Sequence, residues 1–128
     1  MPKKILQVVE SAFRATLEEQ DDTVVWLTLA MRGAGGEFGV LLRGNAVNTA
    51  VRGQDPSGLA FGDRALRHHT DLAEDITRLI GKGVRVSVVA EDLAERGLRT
   101  ADLVAGLEMI PRAALPDLFE KFDQVWHW

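Results

Sequence analysis

Hydrophobic and polar positions along this chain fall into blocks that predict strand and helix by turns. The apolar run Ile5 to Val9 is short and continuous, the pattern of a strand buried on both faces. Glu10 and Ser11 end it, and Ala12 to Gln20 reads as helix, with Phe13 and Leu17 one turn apart. Asp21, Asp22 and Thr23 supply N-cap chemistry for an apolar helix, Val24 to Arg32, stopped by Gly33, Gly35 and Gly36. Being apolar on most sides, that helix is expected to lie between the sheet and a neighbour. Phe38 to Leu42 is a second strand. Asn45 can cap a short helix that places Ala46, Val47, Ala50 and Val51 on one face and ends at Gly53. Pro, Ser and Gly mark Gln54 to Gly62 as a loop. From Asp63 a helix is predicted, its stripe running through Leu66, Leu72, Ala73, Ile76, Leu79 and Ile80 to the break at Gly81 and Gly83.

The stretch Val84 to Leu98 comes next. Val84, Val86, Val88 and Val89 predict a third buried strand, Glu91 and Asp92 an acidic turn, and the residues up to Gly97 a helical fragment. Leu107 to Ile110 reads as a short fourth strand. Pro116 suits the first turn of a helix whose stripe is Leu115, Leu118, Phe119 and Phe122. Gln124 to Trp128 alternates as a terminal strand would. Strand and helix by turns give an α/β fold, a three-layer sandwich with an open, mostly parallel sheet and helices on both faces. Residues 1–128 form a single domain, without repeat, linker or low-complexity tract.

Composition narrows the function classes. A net charge of −4, with no basic run, argues against a nucleic-acid partner. The chain has no cysteine, which removes disulfides, thiolate metal sites and covalent cysteine chemistry together. The apolar run after Lys3 and Lys4 is too short for a signal-peptide core or a membrane span, so a cytoplasmic protein with no membrane partner is expected.

Ligands of open α/β sheets sit at the carboxyl ends of strands, which directs attention to the Glu91–Asp92 turn. Asp92 opens Asp-Leu-Ala-Glu, so it can cap the following helix while Glu95 reaches back, an arrangement worth about 1 kcal/mol. The alternative is a functional carboxylate pair, with Asp92 and Glu91 as candidate acid and base. A helix N-terminus stabilises an anion, which makes Asp92 a weak base near neutrality. After the second strand, Arg43, Asn45 and Asn48 could gather a polar site, with Arg43 an anion-binding candidate and Arg52 nearby. The glycine-rich segment from Arg32 to Gly39 lacks the Lys-Ser/Thr of a P-loop and precedes a strand, so it reads as a helix stop and turn. His68 and His69 point about 100° apart on a helix and do not readily chelate together; no metal site and no cofactor are expected. Trp126 and Trp128 suit core or subunit contact.

Residues Val89 to Gly97 (VAEDLAERG), together with the element order, resemble the DsrE/DsrF-like proteins. In that family a strand ends in a pattern like Cys-x-x-Cys-x-x-x-Arg-Gly, whose second cysteine carries sulfur as a persulfide. Here Arg96-Gly97 match, while Val89 and Asp92 stand at the two cysteine positions. The resemblance spans nearly the whole chain. It implies a five-stranded sheet, assembly into trimers or hexamers, and sulfur-relay work involving sulfur-carrier proteins. Asp92 and Arg96 would then lie in the ligand-binding region with Arg43, Asn45 and Asn48.

Three functions of different class follow. The first is a non-catalytic, homo-oligomeric DsrE-like protein that binds a partner or a small anion within intracellular sulfur trafficking. The second is an enzyme using Glu91 and Asp92, with Arg43 or Arg96, on a small substrate. The third is a structural subunit of a hetero-oligomer. The first is adopted as the expectation. Phe119, Phe122, Trp126, Trp128 and the helix at Val24 exceed what a monomer of this size would cover, which also points to a trimer or a hexamer.

Overall fold

A computed structural model describes residues 3–11, 23–54, 60–65 and 71–128. In chain order these form β1 (Lys4–Val9), α1 (Thr23–Gly33), β2 (Glu37–Leu42), a 3-10 segment (Gly44–Ala50), β3 (Ala60–Phe61), β4 (Arg64–Ala65) and α2 (Leu72–Gly81). There follow β5 (Arg85–Val89), α3 (Ala90–Glu95), β6 (Glu108–Ile110), α4 (Leu115–Glu120) and β7 (Gln124–His127), with short 3-10 segments at Thr100–Asp102 and Arg112–Ala114. Five strands make one wholly parallel sheet in the order β6-β5-β2-β1-β7.

The strands alternate between two cores. Val9, Val40, Leu42, Val86 and Val88 face α1 and α2, whose Val24, Val25, Ile76 and Leu79 cover them, while Ala46, Val47 and Ala50 of the 3-10 segment complete the layer. Leu6, Val8, Leu41 and Val89 face the other way, under Leu115 and Leu118 of α4, with Phe119 and Phe122 at the margin. The connections β1 to β2, β2 to β5 and β5 to β6 step in one direction across the sheet, and the passage from β6 to β7 steps back past β1. Right-handed crossovers therefore put the last helix on the opposite face from α1 and α2. Each fully buried Leu, Ile or Val in these layers contributes roughly 1.5–3 kcal/mol relative to exposure, enough to make a one-residue slip of any strand prohibitive. The resulting register pairs Val9 with Leu42, Leu42 with Val88, and Val89 with Ile110, so the carboxyl ends of four strands lie side by side.

The C-terminus is fastened to the centre of the sheet. Trp128 donates its indole N–H to the buried Gln7 Oε1 at 2.7 Å, and its backbone N–H to Val8 O at 2.9 Å. Trp26, Val125 and Trp128 are the large apolar side chains left exposed among the described residues. No helix among those residues is long and apolar enough to cross a membrane.

Three local expectations are corrected. Asp63 does not start a helix: Gly62 takes φ +61° and, with Asp63, joins β3 to β4 as a tight hairpin. The helix begins at Leu72, where the Asp71 side chain accepts from Glu74 N–H at 3.0 Å. Asn45 lies inside its 3-10 segment and does not cap it; the capping position falls on Arg43, which makes no side-chain cap bond. Asp92 likewise caps nothing, because α3 starts directly at the end of β5 and puts Val89 at the cap. The expected helix at Ala12 to Gln20, the caps at Asp21 and Asp22, and His68 and His69 lie outside the described residues.

Candidate functional site

A strip of charged side chains crosses the carboxyl ends of the strands, and Asp92 sits at its centre. As the third residue of α3, Asp92 turns back over the sheet, its side chain 9% exposed. Its Oδ2 accepts the backbone N–H of Gly44 at 2.8 Å. Its Oδ1 accepts Arg112 Nη2–H, also at 2.8 Å. Gly44 follows β2 with φ +57°, the left-handed conformation that glycine adopts without strain, and that conformation aims its N–H across the strand ends. Arg112 arrives from the end of β6, two residues past Ile110.

The neighbours extend the network on both sides. Glu91 accepts Arg112 N–H through both carboxylate oxygens at 2.9 Å, and Glu95 Oε1 lies 3.6 Å from Arg112 Nη2. Arg96 donates to the Asp92 backbone O at 3.0 Å and, through Nε and Nη2, to Asn45 Oδ1 at 3.2 and 2.8 Å. Gly97, at φ +67°, ends α3 behind it, so the Arg96-Gly97 pair closes the helix and ties it to the segment after β2. Further along, Arg43 Nε bonds Glu10 Oε1 at 3.0 Å, and His127 Nε2 stands 3.0 Å from Glu10 Oε2.

Burial by itself would push the Asp92 carboxyl above its ordinary value. The Gly44 N–H bond, the Arg112 bond and charge, and the Arg96 charge outweigh that effect and hold it below. Asp92 is therefore an ionised acceptor with both oxygens engaged. A carboxylate so held is a poor proton acceptor near neutrality, which removes the main support for an acid–base role at this position. Arg43 has its charge met by Glu10.

Of the residues expected in a site, Asp92, Arg96 and Asn45 are directly linked, Glu91 joins them through Arg112, and Arg43 lies on the same edge. Asn48 stays apart: its side chain donates to Asn45 O at 3.0 Å, a local brace of the 3-10 segment. Sequence reasoning missed Arg112, Gly44, Glu10 and His127. Their signal was positional, since each lies at the end of a strand of the sheet or within two residues after one, but the strand order that joins them could not be read along the chain. Among the described residues no group of three or more His, Asp or Glu is placed to hold a metal ion.

The chain is similar in structure to the YchN protein of E. coli, with a TM-score of 0.75 and 22% identity over 98% of this chain and 99% of that one. It is also similar to MTH1491, a protein of unknown function from Methanobacterium thermoautotrophicum, with a TM-score of 0.60 and 17% identity over the full length of both. These likenesses show the fold, a DsrE-like α/β arrangement with a five-stranded parallel sheet. No protein-family model and no curated protein sequence matches the chain.

Proposed function

We propose that the chain is a non-catalytic DsrE-like protein, a cytoplasmic homo-oligomer built as a trimer or hexamer, that binds a sulfur-carrier partner in sulfur trafficking without itself carrying sulfur. The observation behind this reading is the state of Asp92. At the position where the resembling family has its persulfide cysteine, this chain has a carboxylate fixed between Gly44 N–H and Arg112. Persulfide transfer requires a thiolate, and the chain has no cysteine at all. Engagement of Arg43, Arg96 and Arg112 by Glu10, Asn45 and Asp92 favours a partner surface over a small-anion site, since a free anion would meet cations that internal acceptors already face. The exposed Trp26, Val125 and Trp128 suit contacts between subunits.

Three measurements test the reading. Wild type mixed with a purified persulfidated sulfur-carrier protein should sediment as a complex while its intact mass stays unchanged. In Asp92→Cys, the new thiolate attacks the terminal sulfur of a polysulfide, takes that atom as a persulfide and releases a chain one sulfur shorter. A reductant-reversible gain of one sulfur atom is expected in the variant and not in wild type. Transferable sulfur on wild type would end the non-catalytic reading; an inert Asp92→Cys would show that the family geometry is lost at this turn. Light scattering at micromolar concentration that gives the 14.1 kDa monomer mass would end the oligomer reading.

A further inference from the structure

The glycine-rich segment Arg32 to Gly39 and the Gly81-Lys82-Gly83 turn take no part in the strip around Asp92. They meet at the opposite edge of the sheet, where the strands begin. Arg32 staples them together, donating through Nε to Lys82 O at 3.2 Å and through Nη1 to Gly36 O at 3.1 Å. Beside it an open cavity of about 310 Å³ lies between Lys4, Arg32, Glu37, Phe38, Arg85 and Phe122. A second cavity of about 390 Å³ also touches Arg32, together with Lys82.

The sequence builds the walls of the first cavity. A Cβ at Gly36 would collide with the Phe38 ring, and one at Gly39 would stand 2.6 Å from Phe122 Cζ, so both aromatic rings occupy space that only glycine leaves. Gly83, at φ +83°, lies beside Arg32 Nη2. The charge there runs against that of the chain as a whole, which is net −4. Three cations line the cavity against one acid, Glu37; from outside it Glu108 pairs with Arg85 at 2.9 Å, and the Asp123 carboxylate accepts the Lys4 backbone N–H at 2.8 Å. Arg32 has no carboxylate partner among the described residues, and its Nη2 makes no hydrogen bond there. The backbone donors are already used: Gly35 N–H bonds Arg32 O, Gly36 N–H bonds Met31 O, and Gly83 N–H bonds Ile80 O. Any anion here is held by side-chain charge, not by a nest of backbone N–H groups.

We infer that this cavity binds a small organic anion, its phosphate or carboxylate group on Arg32 and Lys4 and its apolar body over the edge of the sheet, between Phe38 on one face and Phe122 on the other. A planar guanidinium with free N–H groups presents the fork that such oxyanions match, and the phenylalanine rings supply the apolar wall of a ligand pocket.

The test is a titration of phenyl phosphate into isotope-labelled wild type, followed by amide NMR, with inorganic phosphate and benzyl alcohol as parallel arms. Saturable shifts at the amides of Gly36, Phe38, Gly83 and Arg85 are expected with millimolar phenyl phosphate, weaker ones with phosphate, and none with benzyl alcohol. Arg32→Gln should weaken binding about tenfold. Because that change also loosens the two turns, Lys4→Gln serves as the second variant. It should weaken binding about threefold with the melting temperature unchanged. Arg99→Gln, which removes the same charge from a distant exposed site, should bind as wild type. Shifts centred on Gly44, Asp92 and Arg112, or equal binding by all three Gln variants, would overturn the assignment. Equal binding of phosphate and phenyl phosphate would overturn the aromatic half of it.

Discussion

Replacing Asp92 tests whether its carboxylate bridges two strands or caps a helix. Asp92→Ala leaves Gly44 N–H without its acceptor and frees Arg112 to water. A hydrogen bond from a backbone N–H to a carboxylate is worth about 1.5–3 kcal/mol. The ionic share of the Arg112 contact is smaller, because that side chain is 47% exposed and water screens it. The sum predicts a loss of roughly 2–3 kcal/mol, or about 6–15 °C in melting temperature for a domain of this size. Asp92→Asn keeps an oxygen for Gly44 and loses the charge, so about 1 kcal/mol is expected. Asp92→Ser is too short to reach both partners and should behave like Asp92→Ala. Urea denaturation of the three variants near neutral pH checks the order. If Asn and Ser both matched wild type while Ala alone lost about 1 kcal/mol, the side chain would be a cap and the bridge reading would be wrong. Acid adds an independent check. The folded carboxyl lies below its ordinary value of 3.8. The unfolded chain therefore takes up the proton first, and the bridge contributes fully above pH of about 5 and fades as pH falls through the folded value. The gap between wild type and Asp92→Asn should shrink below pH of about 4, and a gap that widened there would contradict the depressed carboxyl.

Three further outcomes follow from the packing. Gly44→Ala meets no clash, since its Cβ would stand 3.7 Å from Glu10 O, so a thermal melt should show only the left-handed backbone cost of about 1–2 kcal/mol. Gly39→Ala should cost about 1–3 kcal/mol by pushing on the Phe122 ring, and Phe122→Leu in the same chain should recover part of it in a double-mutant cycle. Gln7→Leu should stay within about 1 kcal/mol of wild type, because the lost Trp128 bond is set against removal of the buried and unpartnered Gln7 Nε2. Hydrogen exchange over 124–128 should nonetheless speed up in that variant, and unchanged exchange would mean that the indole bond does not pin β7.

The parallel sheet was legible because buried parallel strands leave an unmistakable trace. Ile5 to Val9, Phe38 to Leu42 and Val84 to Val89 are continuous apolar runs, and each became a strand within a residue or so. The helix expected from Asp63 failed for a local reason. Gly62-Asp63 is a two-residue hairpin turn, and the stripe from Leu72 to Ile80 is helical on its own, so starting the helix at Asp63 overreached; Leu66 lies outside the described residues. Asp92 failed as a cap because capping rules assume a turn between strand and helix, whereas here β5 runs into α3 with no residue between Val89 and Ala90. The element types were carried by hydrophobic period; the junctions were decided by one or two residues whose tertiary partners lie far along the chain.

The same distinction governs the site. Asp92, Asn45 and Arg43 could be singled out because each comes soon after a strand, and Arg96 by its match to the family's Arg-Gly pair, yet sequence could not show what each would meet. Arg112 stands twenty residues beyond Asp92 and reaches it only because β6 pairs with β5, while Gly44 reaches it across the β2–β5 pair. Once assembled, the strip sets four carboxylates, Glu10, Glu91, Asp92 and Glu95, against the guanidiniums of Arg43, Arg96 and Arg112. Asp92 thus occupies donors that a bound anion would otherwise use, and the strip carries one carboxylate more than it has guanidiniums. At the other end of the sheet, Arg32 has no acid partner among the described residues. A ligand that enters the strip meets guanidiniums already faced by carboxylates, whereas one that enters beside Arg32 meets a guanidinium with no carboxylate partner among the described residues. Affinity for a small anion should therefore rest at the beginning of the strands, and the strip around Asp92 is better suited to being covered whole by a partner than to being opened by a solute.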